Sequence, residues 1–226
     1  MKSAFFLLGL INMDDSDRNE ILYYVHDPMC SWCWAFDAVL KRLIEKLPAH
    51  LSLIRILGGL AADTDEPMPE AMQKNIQDTW GRIEQHVKGI KFNYGFWSAN
   101  RPRRSTYPAC RAVIAARQQA GEYDKAMTMA IQQAYYKEAQ NPSDVKVLIK
   151  LARELGLQPG QFTDSLNSEQ VQQELLNEIA FSQQLSATSF PSLVLKSGDR
   201  LLHLPIDYNN EDVMLTVIIK FMARQK

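Results

Sequence analysis

The sequence is short of several things, and each shortage excludes a class. Three cysteines in 226 residues are too few for a disulfide-stapled scaffold, and an odd number leaves one thiol outside any intramolecular pairing. There is no excess of either charge. Lys and Arg total 25 and Asp and Glu total 26, for a net charge of −1, so the chain lacks the electrostatic footprint of a nucleic-acid binder. No apolar run reaches the length needed to cross a bilayer. Internal repeats and low-complexity tracts are also missing. What remains is ordinary for a folded protein of one to two domains, with 46% hydrophobic and 23% charged residues.

The N-terminus carries the longest apolar stretch, Ala4 to Ile11, broken by Gly9. No small-x-small cleavage site follows it, and Asn12-Met13-Asp14-Asp15 comes next. We read residues 1–19 as an extension and expect a cytoplasmic protein. An exported protein with this run as its signal is the alternative, and Met13 is an alternative start.

Ile21-Leu22-Tyr23-Tyr24-Val25 reads as a buried strand closed by Asp27-Pro28. Phe36, Val39, Leu40, Leu43 and Leu47 recur at helical spacing from about Cys30, and Pro48 ends that helix. Leu51 to Leu57 is a second strand, so the two strands are expected to be parallel in a βαβ unit. From Met68 to about Leu185 only helical periodicity is present. Stripes run through Met72, Ile76, Trp80 and Ile83, then Ala109, Ala112, Val113 and Ala116. They continue through Tyr123 to Ala134 and Val147 to Leu155, and a last helix is capped by Ser168. Leu193–Lys196 and Arg200–Leu204 flank Ser197-Gly198-Asp199 as a hairpin, and a final helix covers about Asn210 to Arg224. The order is βαβ, a helical block, then ββα. The boundaries expected are 20–60 and 186–226 for one α/β domain and 61–185 for an all-helical insertion.

Cys30-Ser31-Trp32-Cys33 carries the chemistry. Cysteines at i and i+3 share one helix face. A thiol at a helix start meets unpaired N–H groups and the positive dipole end, which favour the thiolate. The first cysteine then attacks, and the second closes a disulfide and expels the partner. Two other readings compete. One is a zinc site completed by Cys110 and one of His26, His50, His86 or His203, against which no second close ligand pair exists. The other is a pair of inert core cysteines.

The segment Val25-His26-Asp27-Pro28-Met29-Cys30-Ser31-Trp32-Cys33-Trp34 resembles the active-site segment of the DsbA-like thioredoxin superfamily. It is most similar to the FrnE-like, protein-disulfide-isomerase branch with D-P-x-C-x-W-C. The resemblance implies a thioredoxin-like fold interrupted by a helical insertion. It implies a thiol–disulfide oxidoreductase acting on protein thiols and disulfides, with Cys30 attacking and Cys33 resolving. No metal or organic cofactor is implied beyond the redox-active disulfide, with glutathione as a candidate small thiol. The family places a cis-proline before the third strand, which matches Phe190-Pro191 ahead of Ser192. A cis Phe190–Pro191 bond is therefore expected, with Pro191 reaching Cys30 or Cys33. Ser31-Trp32 departs from the Pro-His and Gly-Pro pairs of better-known members, so no strong-oxidant potential is carried over.

His26 is a candidate thiolate partner or proton shuttle, and otherwise a strand-end histidine that is exposed or bonded to backbone. Trp32 is expected beside the thiols as a substrate-binding surface, together with Phe190, while Trp34 packs inward. Asp27 is read as a turn residue in preference to a base. Cys110 is read as core, and Arg101-Pro102-Arg103-Arg104 as a solvated loop. Rival functions are a glutathione-dependent transferase or isomerase of the same superfamily, and a non-catalytic binding module. No nucleic acid or membrane partner is expected, and the chain is read as a monomer or weak homodimer.

Overall fold

The computed structural model describes residues 20–223. The N-terminal apolar run and its alternative readings lie outside them. The elements run β1 (Glu20–His26), α1 (Ser31–Lys46), β2 (Ser52–Leu57), α2 (Glu70–His86), α3 (Phe96–Ala99), α4 (Tyr107–Arg117) and α5 (Tyr123–Tyr136). There follow α6 (Val145–Glu154), α7 (Pro159–Leu166), α8 (Glu169–Gln184), β3 (Ser192–Ser197), β4 (Arg200–His203) and α9 (Glu211–Ala223).

The chain forms two compact units. One holds the described parts of Met1–His26 and Asn177–Lys226 with Phe36–Gly58, and the other holds Asp27–Ala35 with Gly59–Leu176. Helix α1 contributes to both.

The first unit contains a mixed sheet in the order β2-β1-β3-β4. β1 and β2 are parallel, with Ile21 opposite Ser52 and His26 opposite Leu57. β1 is antiparallel to β3, with Val25 opposite Ser192, and β3 is antiparallel to β4. Between its polar ends Glu20 and His26, β1 is apolar because both of its faces are covered. Leu22 and Tyr24 pack with Phe36, Val39, Leu40 and Leu43 of α1 and with Met214 and Ile218 of α9. Ile21, Tyr23 and Val25 pack on the opposite face with Leu185 and Ala187, and Tyr23 meets Phe181 edge-on at 5.2 Å. The start of α9 is tied to α1, with Arg42 Nε at 2.8 Å and Lys46 Nζ at 2.9 Å from Glu211.

The second unit is helical, and among its described residues pairing is limited to an isolated bridge between Pro67 and Arg103. Its centre is α4, where Ala109, Cys110, Ala112, Val113 and Ala116 are all fully buried. A second centre is aromatic. Trp80 stacks on Phe92 at 4.7 Å and meets Tyr136 edge-on at 5.7 Å. The periodicity misses two helices, α3 and α7. The first is a single turn, and in α7 the buried side chains Phe162 and Leu166 mark only one repeat. The expected Ser168 cap is present, with Val171 N–H donating to Ser168 Oγ at 3.2 Å.

Candidate active site

The site begins where β1 ends. Asp27 turns the chain, and its Oδ1 accepts the Met29 N–H at 2.7 Å while its carbonyl accepts the Cys30 N–H at 3.0 Å. This is the Asx-type turn expected from Asp27-Pro28. It delivers Cys30 to the position just before α1. The Trp34 N–H donates to the Cys30 carbonyl at 3.1 Å, the first bond of the helix. Cys30 therefore stands where Ser, Thr or Asp usually caps a helix. Its sulfur does the capping, for Cys30 Sγ accepts the Cys33 N–H at 3.3 Å.

The two sulfurs differ. Cys30 is 7% exposed and Cys33 is fully buried. Burial pushes the Cys33 thiol well above its ordinary value, and the hydrogen bond and charge of Cys30 beside it act the same way. Cys33 thus holds its proton while Cys30 faces a backbone donor.

Asp27 does more than turn the chain. It is fully buried, and its Oδ2 accepts the Leu60 N–H at 2.7 Å, the Thr106 hydroxyl at 2.7 Å and the Cys110 thiol at 3.5 Å. Burial raises its pKa, and the four donors (Leu60, Thr106, Met29 and Cys110) oppose that rise. Thr106 and Cys110 are the residues that the sequence reading did not connect to the site. They lie at i and i+4, one turn apart across the start of α4, but no local spacing links them to residue 27.

Trp34 packs inward as expected. It stacks on Tyr136 at 4.8 Å, meets Phe92 edge-on at 4.8 Å, and lies 5.7 Å below Lys137 Nζ. Trp32 is half-buried and meets His86 edge-on at 6.2 Å. His26 is 1% exposed and stacks flat on Tyr24 at 4.8 Å. The Phe190–Pro191 bond is cis, and Pro191 is buried. Phe190 packs so closely over Gly58 that a Cβ there would overlap its ring. The basic cluster is not the solvated loop expected. Pro102 is buried, and Arg103 Nη2 donates to the Ser143 carbonyl at 2.7 Å and to Asp144 at 2.8 Å. The fixed fork of a guanidinium finds these partners only once the 143–144 turn has folded against it.

A sheet flanked by helices, a cysteine pair opening the helix after the first strand, and a cis-proline before a later strand define the thioredoxin-like class. The family described as Thioredoxin matches residues 23–200, and the chain belongs to it. The chain is 22% identical over 193 residues to the ClpXP adapter protein SpxH of Bacillus subtilis, a match covering 83% of this chain. It spans 63% of that relative, and 57% of the SpxH of Halalkalibacterium halodurans. Among solved structures, a candidate protein disulfide isomerase from Nitrosomonas europaea superposes with a TM-score of 0.78 at 25% identity, covering 92% of this chain and all of that one. The cytosolic disulfide reductase DsbM from Pseudomonas aeruginosa superposes with a TM-score of 0.71 at 22% identity, covering 90% and 99%. DsbA-like proteins share the same fold at lower identity.

Proposed function

We propose that the protein is a thiol–disulfide oxidoreductase whose redox pair is Cys30 and Cys33. The observation that carries this reading is the asymmetry of the pair: a capping Cys30 sulfur that receives a backbone N–H, and a buried Cys33 that keeps its proton. The Cys30 thiolate attacks one sulfur of a substrate disulfide. A mixed disulfide forms and the other substrate sulfur leaves as a thiolate. Cys33 then gives up its proton, attacks Cys30 and releases the second substrate thiol. The substrate gains two electrons and the Cys30–Cys33 pair becomes a disulfide. A low-molecular-weight thiol or dithiol restores the pair, and with an oxidant in its place the same steps run in reverse. We assign the Cys33 proton to Asp27, the buried carboxylate whose charge acts on Cys33. Pro191 takes the catalytic place beside the cysteines that the family resemblance gives it, and Phe190, Trp32 and His26 are the substrate-binding residues. The partners are protein thiols and disulfides, and the chain acts in the cytoplasm as a monomer or weak homodimer. Among the described residues no helix is long and apolar enough to cross a membrane.

Insulin reduction with dithiothreitol tests the reading. Turnover is expected for the wild type and is lost in Cys30→Ser. Cys33→Ala is expected to accumulate a mixed disulfide with substrate. Iodoacetamide at mildly acidic pH is expected to label Cys30 before Cys33 and Cys110, and first labelling of Cys110 would remove Cys30 as the nucleophile. The likeness to proteins named ClpXP adapters favours one second reading, a binding module without turnover. A Cys30→Ser, Cys33→Ser double variant that performs the protein's cellular role unchanged would select that reading over the first.

A further inference from the structure

The helical unit contains a cleft of about 610 Å³, a size that holds a small ligand or a short peptide segment. Its walls are the 63–65 segment, the approach to and start of α4 with Ser105 and Arg111, and the start of α6 from Asp144 to Lys146. Two of its cations are already neutralised. Arg103 meets Asp144 at 2.8 Å, and Arg111 holds Asp63 through two bonds of 2.7 and 2.8 Å.

The first of these pairs has a consequence for α6. Asp144 is the residue before that helix, yet its carboxylate makes no capping hydrogen bond. The N–H groups of Val145 and Lys146 have no carbonyl one turn back to receive them. Both residues line the cleft, so the positive end of a ten-residue helix opens onto it. Lys146 is exposed and adds a full charge that enters no ion pair among the described residues.

A separate observation points the same way. Ser105 is 2% exposed and lines the same cleft. Its carbonyl accepts the Ser143 hydroxyl at 2.7 Å, but its own hydroxyl has no partner among the described residues. That oxygen is not sealed in the interior and opens on the cleft, so a ligand there can bond it in place of water. The cleft also adjoins the reacting segment. Ser143 Oγ lies 4.0 Å from Met29 Sδ, and Thr106, next to Ser105, bonds Asp27. One lining residue, Ser143, thus touches Met29, and the neighbour of another, Ser105, bonds Asp27, so the cleft is tied to the chain just before Cys30.

We propose that this cleft is a substrate subsite for a carboxylate. An acidic side chain close to the reacting disulfide of a peptide substrate is held by the Val145 and Lys146 amides, the Lys146 ammonium and the Ser105 hydroxyl. Exposed Asp65, also on the lining, disfavours a second acid on its side of the cleft and suits a neighbouring cation. The preferred segment therefore carries charges of both signs, anchored by its acid. The proposal rests on the redox reading, because the acid arrives with the disulfide.

The test uses the full chain and two synthetic peptide disulfides that differ only by Glu or Gln beside the cysteine, with dithiothreitol as reductant. The wild type is expected to favour the Glu peptide about fivefold in kcat/KM at low salt, with the preference shrinking as salt is raised. Val145→Pro removes one amide donor at the first helical position, which tolerates proline, and Asp144 already has the extended φ −94°, ψ 118° that a following proline requires. That variant and Lys146→Ala are each expected to bring the Glu-over-Gln preference toward one. Equal turnover of the two peptides by the wild type overturns the proposal, as does a preference that survives both substitutions. Absence of turnover on either peptide would count against the redox reading instead. The subsite is then read by titrating the Cys30→Ser, Cys33→Ser variant with Glu and Gln peptides in which serine replaces cysteine. Tighter binding of the Glu peptide, lost in Val145→Pro, supports the subsite, and equal binding overturns it.

Discussion

Asp27 combines two tendencies that oppose each other. Removal from water favours its neutral form, and four donors aimed at its oxygens favour the charged one. Its folded pKa still lies above the usual carboxylate value. Ionised Asp27 therefore costs native stability at neutral pH, and that cost is absent below the unfolded value. In the proposed step from Cys33 to Asp27, the donors would set how high the pH must rise before Asp27 is ready to accept the proton. Thr106→Val removes one donor, so the pH midpoint of the resolving step is expected to move upward, and Thr106→Ser is expected to restore it. Single-turnover release of substrate from the Cys30 mixed disulfide, followed against pH, checks this, and an unchanged midpoint in Thr106→Val refutes it. The other titratable groups facing Asp27 are Cys33 on α1, Cys110 and Tyr107 on α4, and Tyr135 and Tyr136 on α5. Gly58 offers a second test at this scale. A methyl group there collides with the Phe190 ring. Gly58→Ala is expected to cost about 1–3 kcal/mol in urea unfolding, as overpacked sites do. Combining it with Phe190→Ala is expected to recover part of that loss, whereas strict additivity would show that the two residues do not compete for the space.

At the scale of elements, sequence periodicity located what repeats and missed what does not. The strand runs, the hairpin around Gly198 and the long helices were legible because burial on one or both faces writes itself into spacing. Cys30 and Cys33 were legible for the same reason, since one helical turn separates them. The Asp27–Thr106–Cys110 cluster and the Arg103–Asp144 pair were not, because each joins residues far apart in the chain and only folding sets them side by side. The tie between α1 and α9 is another long-range contact, and it makes a pH prediction. Lys46 and Arg42 beside Glu211 hold its carboxyl down to about 2, below its ordinary range. A depressed value contributes stability above the unfolded pKa and loses it as pH falls through the folded one. Glu211→Gln is thus expected to lower Tm at pH 7, and the gap from wild type is expected to close between about pH 4 and pH 2. A gap that stays constant over that range would mean the ion pairs contribute nothing.

For the molecule as a whole, the division of α1 between two units raises the question of cooperativity. All four tryptophans, Trp32, Trp34, Trp80 and Trp97, belong to the helical unit. Tryptophan emission therefore reports one unit, while far-ultraviolet circular dichroism reports both. Because melting either unit frays a helix that the other also uses, the two signals are expected to share one urea midpoint. Separate midpoints would show that the units unfold independently. The buried face of α4 has a further consequence. Its alanines are fully buried in the helical unit. In a survey of every single substitution, these small-residue positions are expected to be among the least tolerant, because each replacement but glycine adds atoms to a buried site. Enlarging Ala112 should therefore be more damaging than trimming half-buried Trp32, and a helix that looks bland in sequence would be among the least variable parts of the protein in its descendants.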